Sequence, residues 1–273
     1  MLVILDGDTV AFACAASAED AEEWVATSRA QQMIENILVA NDSNRIEVWL
    51  SGKANFRYSV YPEYKANRIG AYRPKWEYSV KEYLSNKWNA NWSDGCEADD
   101  MVGRRLIEVG SNGILAHIDK DLDQITGWHY NWELRRKGEV NRQARRYYIT
   151  PEQGDRWFWM QLVMGDSTDN IPGIKGIGPK KAEAMFRNCE SNQECYEVAK
   201  ELFGSDEELD MNAQCIYIQR KEGDNWRNLL DENRPPWPSP FQKDTLASLE
   251  AGLPGVSRDL LLGSSEQDTK DGL

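Results

Sequence analysis

The spacing of apolar and polar residues in the first half of the chain predicts strands that alternate with helices. Residues 2–8 form an apolar run that ends in two aspartates, which is typical of a buried strand, and residues 45–52 predict a second strand. Helices are predicted over residues 17–41, 76–90 and 97–110, and the last of these is amphipathic and stops at a glycine.

Further along the chain the pattern becomes mainly helical. Residues 112–125 predict a strand, a turn and the start of a helix, and residues 135–149 form a basic, hairpin-like segment. A tryptophan-rich helix is expected at 152–165, and further helices follow to about residue 231. The motif RPPWPSP at 234–240 interrupts regular structure and favours a rigid linker, and the tail after it is expected to be disordered.

These elements predict an α/β fold with a mostly parallel sheet flanked by helices, followed by an all-helical region. Sites in such sheets lie at the carboxyl ends of the strands. We predict a core at 1–150 that contains a Tyr-rich and basic segment at 61–76, followed by the helix expected over 76–90. A helical region at 151–232 and a proline-containing extension and tail at 233–273 follow.

Composition and charge restrict the class of protein. The five cysteines and two histidines show no ligand spacing, so we expect reduced thiols in a cytoplasmic protein and no zinc site. No apolar run approaches the roughly 20 residues that a membrane span needs, and the short apolar start does not resemble a secretion signal. The net charge of −13 argues against a nucleic-acid partner unless the acids are concentrated where cations neutralise them.

Acidic residues do cluster at the ends of the predicted elements. The clusters are Asp6 with Asp8; Glu97 with Asp99 and Asp100; Asp119 with Asp121 and Asp123; and Asp166 with Asp169. Several of these ends belong to the edge at which a parallel sheet gathers its site. We therefore expect carboxylates that are distant in sequence to meet there.

Converging carboxylates repel one another, and burial adds a desolvation cost. Hard divalent cations remove this conflict, since Mg²⁺ and Mn²⁺ prefer oxygen ligands. Two such ions about 4 Å apart can stabilise both the attacking and the leaving oxygen when a phosphodiester is cleaved. An alternative explanation for each cluster alone is that its acids cap helix N-termini or lie in solvated turns.

The stretch GIKGIGPKKA at 173–182 predicts a phosphate-binding loop. Its notable residues are Gly173, Gly176, Gly178, Pro179, Lys180 and Lys181. Glycine lets the backbone approach a phosphate closely, and successive N–H groups form an anion-binding nest. Proline suits the first position of a helix whose N-terminus faces the same anion. This pattern favours a helix–hairpin–helix grip on a nucleic-acid backbone, although such a hairpin alone is often only a tight turn.

The motifs together resemble those of the 5′→3′ exonuclease / flap endonuclease family, and most of all its bacteriophage members. The matching stretches are ILDGD, FRYSVYPEYKANR, EADD, DKDLDQI and GDSTDNIPGIKGIGPKKA, which occur in the family's order over residues 1 to about 190. The resemblance implies a PIN-like α/β nuclease domain, a helix–hairpin–helix region and a helical arch formed from the segment at about 61–90. Residues beyond about 200 show no match.

The resemblance also implies roles for individual residues. The metal ligands would be Asp6, Glu97, Asp99, Asp119, Asp121, Asp166 and Asp169, with Asp100 as a supporting acid. Lys65 and Arg68 would contact the scissile phosphate, and either Tyr64 or Tyr72 would stack on an unpaired base. The DNA backbone would be held by the glycine loop, at which K⁺ is often bound in this family, and by positive surface to which Arg57, Arg73, Lys180 and Lys181 contribute.

The sequence departs from the family at one position. The family usually carries another aspartate after the strand matched by VWLSGK, and here Leu50, Ser51 or Gly52 stands in that place. The predicted function is divalent-metal-dependent hydrolysis of DNA phosphodiesters near 5′ ends or at 5′ flaps, with two ions and with RNA·DNA hybrids as a further substrate. The alternatives are a degenerate nuclease that binds branched DNA without cleaving it, an RNA-directed PIN nuclease, and an acidic scaffold without a site. If the chain comes from a phage, the location would be the host cytoplasm.

Overall fold

The first strand, β1 (Leu2–Asp6), is buried along its whole length. Helices cover both faces of the sheet around it, which explains why the strand is apolar at every position except the last. The computed structural model describes residues 1–136, 139–234 and 237. The predicted tail and most of the RPPWPSP motif lie outside the described residues.

Six strands form the main sheet in the order β3–β2–β1–β4–β5–β8. All neighbouring pairs are parallel except β5 with β8, which is antiparallel. The remaining strands after β1 are β2 (Ile46–Leu50), β3 (Asn91–Trp92), β4 (Gly113–Ala116), β5 (Gly127–Asn131), β6 (Leu134–Arg136), β7 (Glu139–Arg142) and β8 (Arg145–Ile149). The basic segment predicted as one hairpin therefore divides, because β6 pairs with β7 while β8 joins the main sheet.

Nine α-helices lie in the described part of the chain. They are α1 (Gly7–Ser17), α2 (Glu23–Ala40), α3 (Arg57–Val60), α4 (Glu77–Trp88), α5 (Ala98–Val109), α6 (Pro151–Met164), α7 (Pro179–Phe186), α8 (Asn192–Phe203) and α9 (Asp206–Ile216). Short 3₁₀ helices span Ala66–Arg68, Gly110–Asn112, Lys120–Gln124 and Trp226–Leu230. Among the described residues, none of these helices has the length and apolar character to cross a membrane.

Alternate residues of β1 pack on opposite sides of the sheet. Val3 and Leu5 belong to an apolar cluster with α1, α2 and α4, whereas Leu2 and Ile4 pack with α5. A third cluster joins α6, α7, α8 and α9. Residues 1–237 form one compact unit, and the proposed subdivision near residue 150 stays a prediction.

Three local expectations differ from the structure. The helix predicted over 17–41 is present as α2 but begins only at Glu23, and α1, which was not predicted, begins at Gly7 directly after β1. The carboxylate of Asp6 makes this early start possible by accepting hydrogen bonds from the N–H groups of Asp8 (3.1 Å) and Thr9 (3.3 Å). The helix expected after β4 is a 3₁₀ helix. The segment before α4, which was expected to belong to a helical arch, contains only α3 and the 3₁₀ helix at Ala66–Arg68.

Candidate active site

A cavity of about 810 Å³ opens at the carboxyl ends of β1, β2 and β4. All seven predicted ligand acids line it, together with two further carboxylates, Asp8 and Glu77; the seven are Asp6, Glu97, Asp99, Asp119, Asp121, Asp166 and Asp169. The expectation that acids distant in sequence converge is therefore confirmed. Their roles as metal ligands stay predictions.

Four separate segments bring these acids to the cavity. Asp6 ends β1, and Asp99 lies in the first turn of α5. Asp119 caps the 3₁₀ helix after β4 by accepting a hydrogen bond from the N–H of Asp121 (2.9 Å). Asp166 follows α6 and pairs with Ile171 through two backbone hydrogen bonds, which hold the turn that carries Asp169.

Burial and mutual repulsion make the ionised state of several of these acids unfavourable. Burial and the charge of Asp8 raise the pKa of Asp6 to about 7, and burial and Asp119 raise the pKa of Asp121 to about 8. Burial is also the main reason why the pKa of Asp99 lies well above its usual range and why the pKa of Asp119 is raised. The donor set is made of carboxylate oxygens, so it fits hard divalent cations such as Mg²⁺ or Mn²⁺.

Two basic residues face the acids from the segment before α4. Lys65 adopts a left-handed backbone conformation (φ 56°), pairs with Glu97 and lies 3.5 Å from Asp169. Arg68 pairs with Asp169 and also donates to the carbonyl of Thr168 (3.1 Å). Both side chains therefore stand at the cavity, as predicted, but at present they neutralise carboxylates.

The structure corrects the prediction for Arg57. Its side chain is 3% exposed, so it adds no positive surface for DNA. The guanidinium makes two hydrogen bonds to Asp100 (2.6 and 3.0 Å) and donates to the carbonyls of Cys215 and Tyr217 (2.8 Å each). Burial alone would raise the pKa of Asp100, but Arg57 outweighs it and the pKa is lowered. Asp100 does not line the cavity, so its support of the site is indirect.

The two tyrosines considered for base stacking lie in different environments. Tyr64 is buried, and its hydroxyl donates to Glu97 (3.0 Å) and Asp169 (2.9 Å). Its ring is not available to a base, so that alternative is wrong for the structure as it stands. Tyr72 is 59% exposed, lines the cavity and donates its hydroxyl to Glu19 (2.7 Å). Arg73 lines the cavity beside it.

The sequence did not single out Lys81 or assign Asp8 to the site. Lys81 on α4 pairs with Asp8 (2.8 Å) and with Glu77 (3.2 Å), and all three line the cavity. The spacing of Glu77 and Lys81 (i, i+4) shows that they share a helix face. Only the tertiary packing of α4 against α1 shows that this face points toward the acids.

The end of β2, where the family usually carries an aspartate, has no carboxylate of its own. Leu50 is buried, and Ser51 and Gly52 line the cavity. The hydroxyl of Ser51 accepts a hydrogen bond from the N–H of Ala98 (2.9 Å) at the start of α5. The N–H of Ser51 donates to Asp8 (3.0 Å), so Asp8 brings a carboxylate to the end of this strand.

The glycine loop connects α6 to α7. Gly173 and Gly176 have positive φ (57° and 83°), and a side chain at Gly173 would collide with the backbone of Gly165. Pro179 is the first residue of α7, as predicted. Lys181 donates to the carbonyl of Gly176 (2.8 Å), while Gly178 lies in extended conformation at the helix N-cap. The loop does not line the acidic cavity, so any contact with a phosphate there is separate from it.

The fold and the cavity define a PIN-like α/β protein with an acidic site at the carboxyl edge of its sheet. A solved structure of the bacteriophage T5 D15 flap endonuclease, in complex with DNA and metal ions, has the same fold. Its TM-score is 0.54 at 20% identity, and the match covers 78% of this chain and 90% of that chain. The predicted fold class is confirmed, and the helix–hairpin–helix region stays a prediction.

Curated relatives agree with the fold. The 5′-3′ exonuclease of Buchnera aphidicola subsp. Schizaphis graminum is 28% identical over 176 residues, which is 60% of this chain and 60% of that protein. DNA polymerase I of Bacillus subtilis (strain 168) is 28% identical over 170 residues, which is 56% of this chain and 19% of that protein. The chain thus spans three-fifths or less of each of these relatives, and no family model matches it. The resemblance to the 5′→3′ exonuclease / flap endonuclease family is confirmed.

Proposed function

We propose that this protein is a 5′ nuclease that hydrolyses DNA phosphodiester bonds near 5′ ends or at 5′ flaps with the help of divalent ions. The observation that carries the proposal is the convergence of carboxylates from four chain segments on one cavity, opposite Lys65 and Arg68. Relatives named 5′-3′ exonuclease support the reaction class, and the DNA-bound T5 D15 flap endonuclease supports the substrate.

Mg²⁺ or Mn²⁺ would be held by the cavity acids, with Asp6, Asp99, Asp119 and Asp121 as the main ligands and Asp8 as a further carboxylate. Such ions supply Lewis-acid stabilisation and an activated water in phosphodiester hydrolysis, and we propose two of them. Lys65 and Arg68 would exchange their carboxylate partners for the phosphate and stabilise the negative charge that develops on it. Their ion pairs with Glu97 and Asp169 hold them at the cavity until then.

DNA would also be bound outside the cavity. We propose that the backbone N–H groups of the glycine loop, with Lys180, grip a duplex phosphate, and that K⁺ binds at this loop. Tyr72, which is exposed at the cavity, would stack on an unpaired base. The substrate range would include RNA·DNA hybrids.

A cleavage assay on a 5′-labelled flap and on a nicked duplex, with Mg²⁺ or Mn²⁺, tests the proposal. The double substitution Asp119→Asn with Asp121→Asn should abolish cleavage and leave DNA binding in place. The matched control is Asp206→Asn with Glu207→Gln, which removes the same charge from two exposed residues outside the cavity. Unchanged turnover in the first variant would show that this cavity is not the active site.

A second function is favoured by the missing carboxylate at the end of β2. If Ser51 and Asp8 do not replace it, the protein would bind branched DNA without cleaving it. The same assay separates the two functions, because a protein that only binds DNA would retard a 5′ flap in a gel but would leave the flap intact with either ion.

A further inference from the structure

The two histidines of the chain face each other behind the acidic cavity. His117 follows β4 and His129 lies in β5, and both are fully buried. The Nε2 atom of His117 lies 2.8 Å from the Nδ1 atom of His129. The pairing of β4 with β5 produces this contact between residues twelve positions apart, so a search for ligand spacing in the sequence does not find it.

The surrounding hydrogen bonds fix the tautomer of each ring. The Nδ1 atom of His117 lies 2.6 Å from the carbonyl of Asp119, and the Nε2 atom of His129 lies 2.7 Å from the carbonyl of Ile125. A carbonyl only accepts, so each neutral ring carries its proton on this outer nitrogen. The two inner nitrogens then direct their lone pairs at each other.

Within the described part of the chain, no hydroxyl supplies the proton that this contact lacks. The hydroxyl of Tyr147 lies 3.4 Å from the Nε2 atom of His117, but it donates to Asp123 (2.7 Å). Two buried nitrogen lone pairs therefore face each other at hydrogen-bond distance with no proton or cation between them. The carboxylate of Asp123 lies 4.0 Å from the same nitrogen.

We propose that His117, His129 and Asp123 bind a divalent ion of the Zn²⁺, Co²⁺ or Ni²⁺ class. Their three donor atoms lie within 4.8 Å of one another. Imidazole nitrogens with a carboxylate suit these metals better than Mg²⁺. Donation of the outer N–H to a backbone carbonyl, seen here for both rings, is the usual orientation of histidines that bind metal.

The site needs shifts of no more than about 1.5 Å to accept the ion, and the largest is an approach of the Asp123 carboxylate to the two rings. Bonds of about 2.0–2.1 Å in tetrahedral geometry separate two nitrogen ligands by roughly 3.3 Å, so the rings would move apart by about 0.5 Å. Arg142 and Arg145 oppose added positive charge near His117, whereas Asp119 adds negative charge near Asp123. Tyr147 or a water would be the fourth ligand.

The bound ion would join three elements that meet at the floor of the cavity. It would link the end of β4 and the middle of β5 to the 3₁₀ helix Lys120–Gln124, which follows Asp119 and contains Asp121. We infer a structural role for this ion, distinct from the Mg²⁺ or Mn²⁺ proposed for the carboxylates. This inference does not depend on the nuclease activity.

Metal titration of the full chain tests the inference. With saturating Mg²⁺ present, Zn²⁺ is titrated by calorimetry, and Co²⁺ is titrated by its visible absorption, which is strong for four-coordinate sites with nitrogen ligands and weak for six-coordinate oxygen sites. We expect one tight equivalent of either ion, together with a rise in melting temperature. His117→Asn and His129→Gln each keep a donor for the outer carbonyl and should weaken this equivalent by at least roughly 10- to 100-fold.

Two further variants make the result specific. Asp123→Asn removes a partly exposed ligand with little risk to folding and should also weaken the Co²⁺ signal. Asp121→Asn removes a cavity acid and should leave the signal intact. A wild-type protein that shows no strong Co²⁺ absorption would overturn the inference without reference to any variant. If Asp121→Asn lost the Co²⁺ signal while the histidine variants kept it, the inference would be overturned as well.

Discussion

Asp99 and Asp100 are neighbours in the first turn of α5, yet their surroundings are opposite. Asp100 points into the protein, where it accepts hydrogen bonds from Arg57 and from the N–H groups of Gln219 (3.0 Å) and Glu97 (3.1 Å). Asp99 lines the cavity, where burial and the charges of Asp6 and Asp119 raise its pKa. A step of one residue rotates a helix by about 100°, which is enough to separate a paired carboxylate from an unpaired one.

Buried charge has two uses in this molecule. The Arg57–Asp100 pair joins the segment after β2 to α5 and to the chain after α9, so it belongs to the fold. Among the cavity acids, Glu97 and Asp169 do have ion pairs, with Lys65 and Arg68. The raised pKa values of Asp6, Asp99, Asp119 and Asp121 indicate instead that these four charges oppose folding while no cation is bound. Asp100 is therefore a positioning residue, and the cavity acids are available for chemistry.

Loss of Arg57, the ion-pair partner of Asp100, should have the largest effect on stability. Arg57→Met leaves the carboxylate of Asp100 buried without its counter-ion, so the free energy of unfolding in urea should fall by about 3–5 kcal/mol. The matched control is Arg68→Met, which breaks the more exposed Arg68–Asp169 pair and should change stability by less than about 1 kcal/mol. Similar losses in both variants would contradict the distinction between the two regions.

The cavity acids should dominate the pH dependence of the free energy of unfolding of the metal-free protein. The pKa values of Asp6 and Asp121 (about 7 and 8) exceed the ordinary value of 3.8, so the folded state binds more protons than the unfolded state between roughly pH 4 and 8. The free energy of unfolding should therefore fall by several kcal/mol as the pH rises through this window, since each unit of pKa shift is worth about 1.4 kcal/mol. Denaturation in EDTA at several pH values measures the fall.

Saturating Mg²⁺ should flatten this pH profile, because the ion binds the ionised carboxylates and stabilises the folded state. A metal-free protein whose stability rises between pH 5 and 8 would show instead that the cavity acids are stabilised by contacts within the protein.

Substitution of the two neighbouring aspartates should change the stability of the metal-free protein in opposite directions. Asp99→Asn removes an unpaired charge and should stabilise the metal-free protein by about 1–2 kcal/mol while weakening its stabilisation by Mg²⁺. Asp100→Asn should destabilise the protein with or without Mg²⁺, because Arg57 loses its counter-ion. Thermal melts with and without Mg²⁺ provide the measurement, and a shift of the same sign in both variants would argue against the comparison.

Sequence reasoning found most of the cavity acids because they follow a strand or begin a helix, and the edge of a parallel sheet brings such positions together. Asp166 and Asp169, which follow α6, were found instead from the motif that precedes the glycine loop. It could not assign Arg57 or Tyr64 correctly, since their motif marks them as close to the site but does not show that they pack beneath it. Lys81 and the His117–His129 contact were missed for a related reason. Both depend on how one element packs against another, which local periodicity does not encode.

The smallest effect, on DNA affinity, is expected at the glycine loop, where a lysine with a hydrogen-bond partner lies beside a lysine without one among the described residues. Lys181 donates to the carbonyl of Gly176, whereas Lys180 has no bonding partner among the residues that the structure describes. If Lys180 contacts a phosphate, Lys180→Ala should reduce the magnitude of the slope of log affinity against log salt by about 1 and leave stability unchanged. Lys181→Ala should change this slope less, because part of its role is to hold the loop. Fluorescence anisotropy of a labelled duplex, in Ca²⁺ to prevent cleavage and at several salt concentrations, measures both slopes. Equal slopes for wild type and Lys180→Ala would place the phosphate contact elsewhere than on this unpaired lysine.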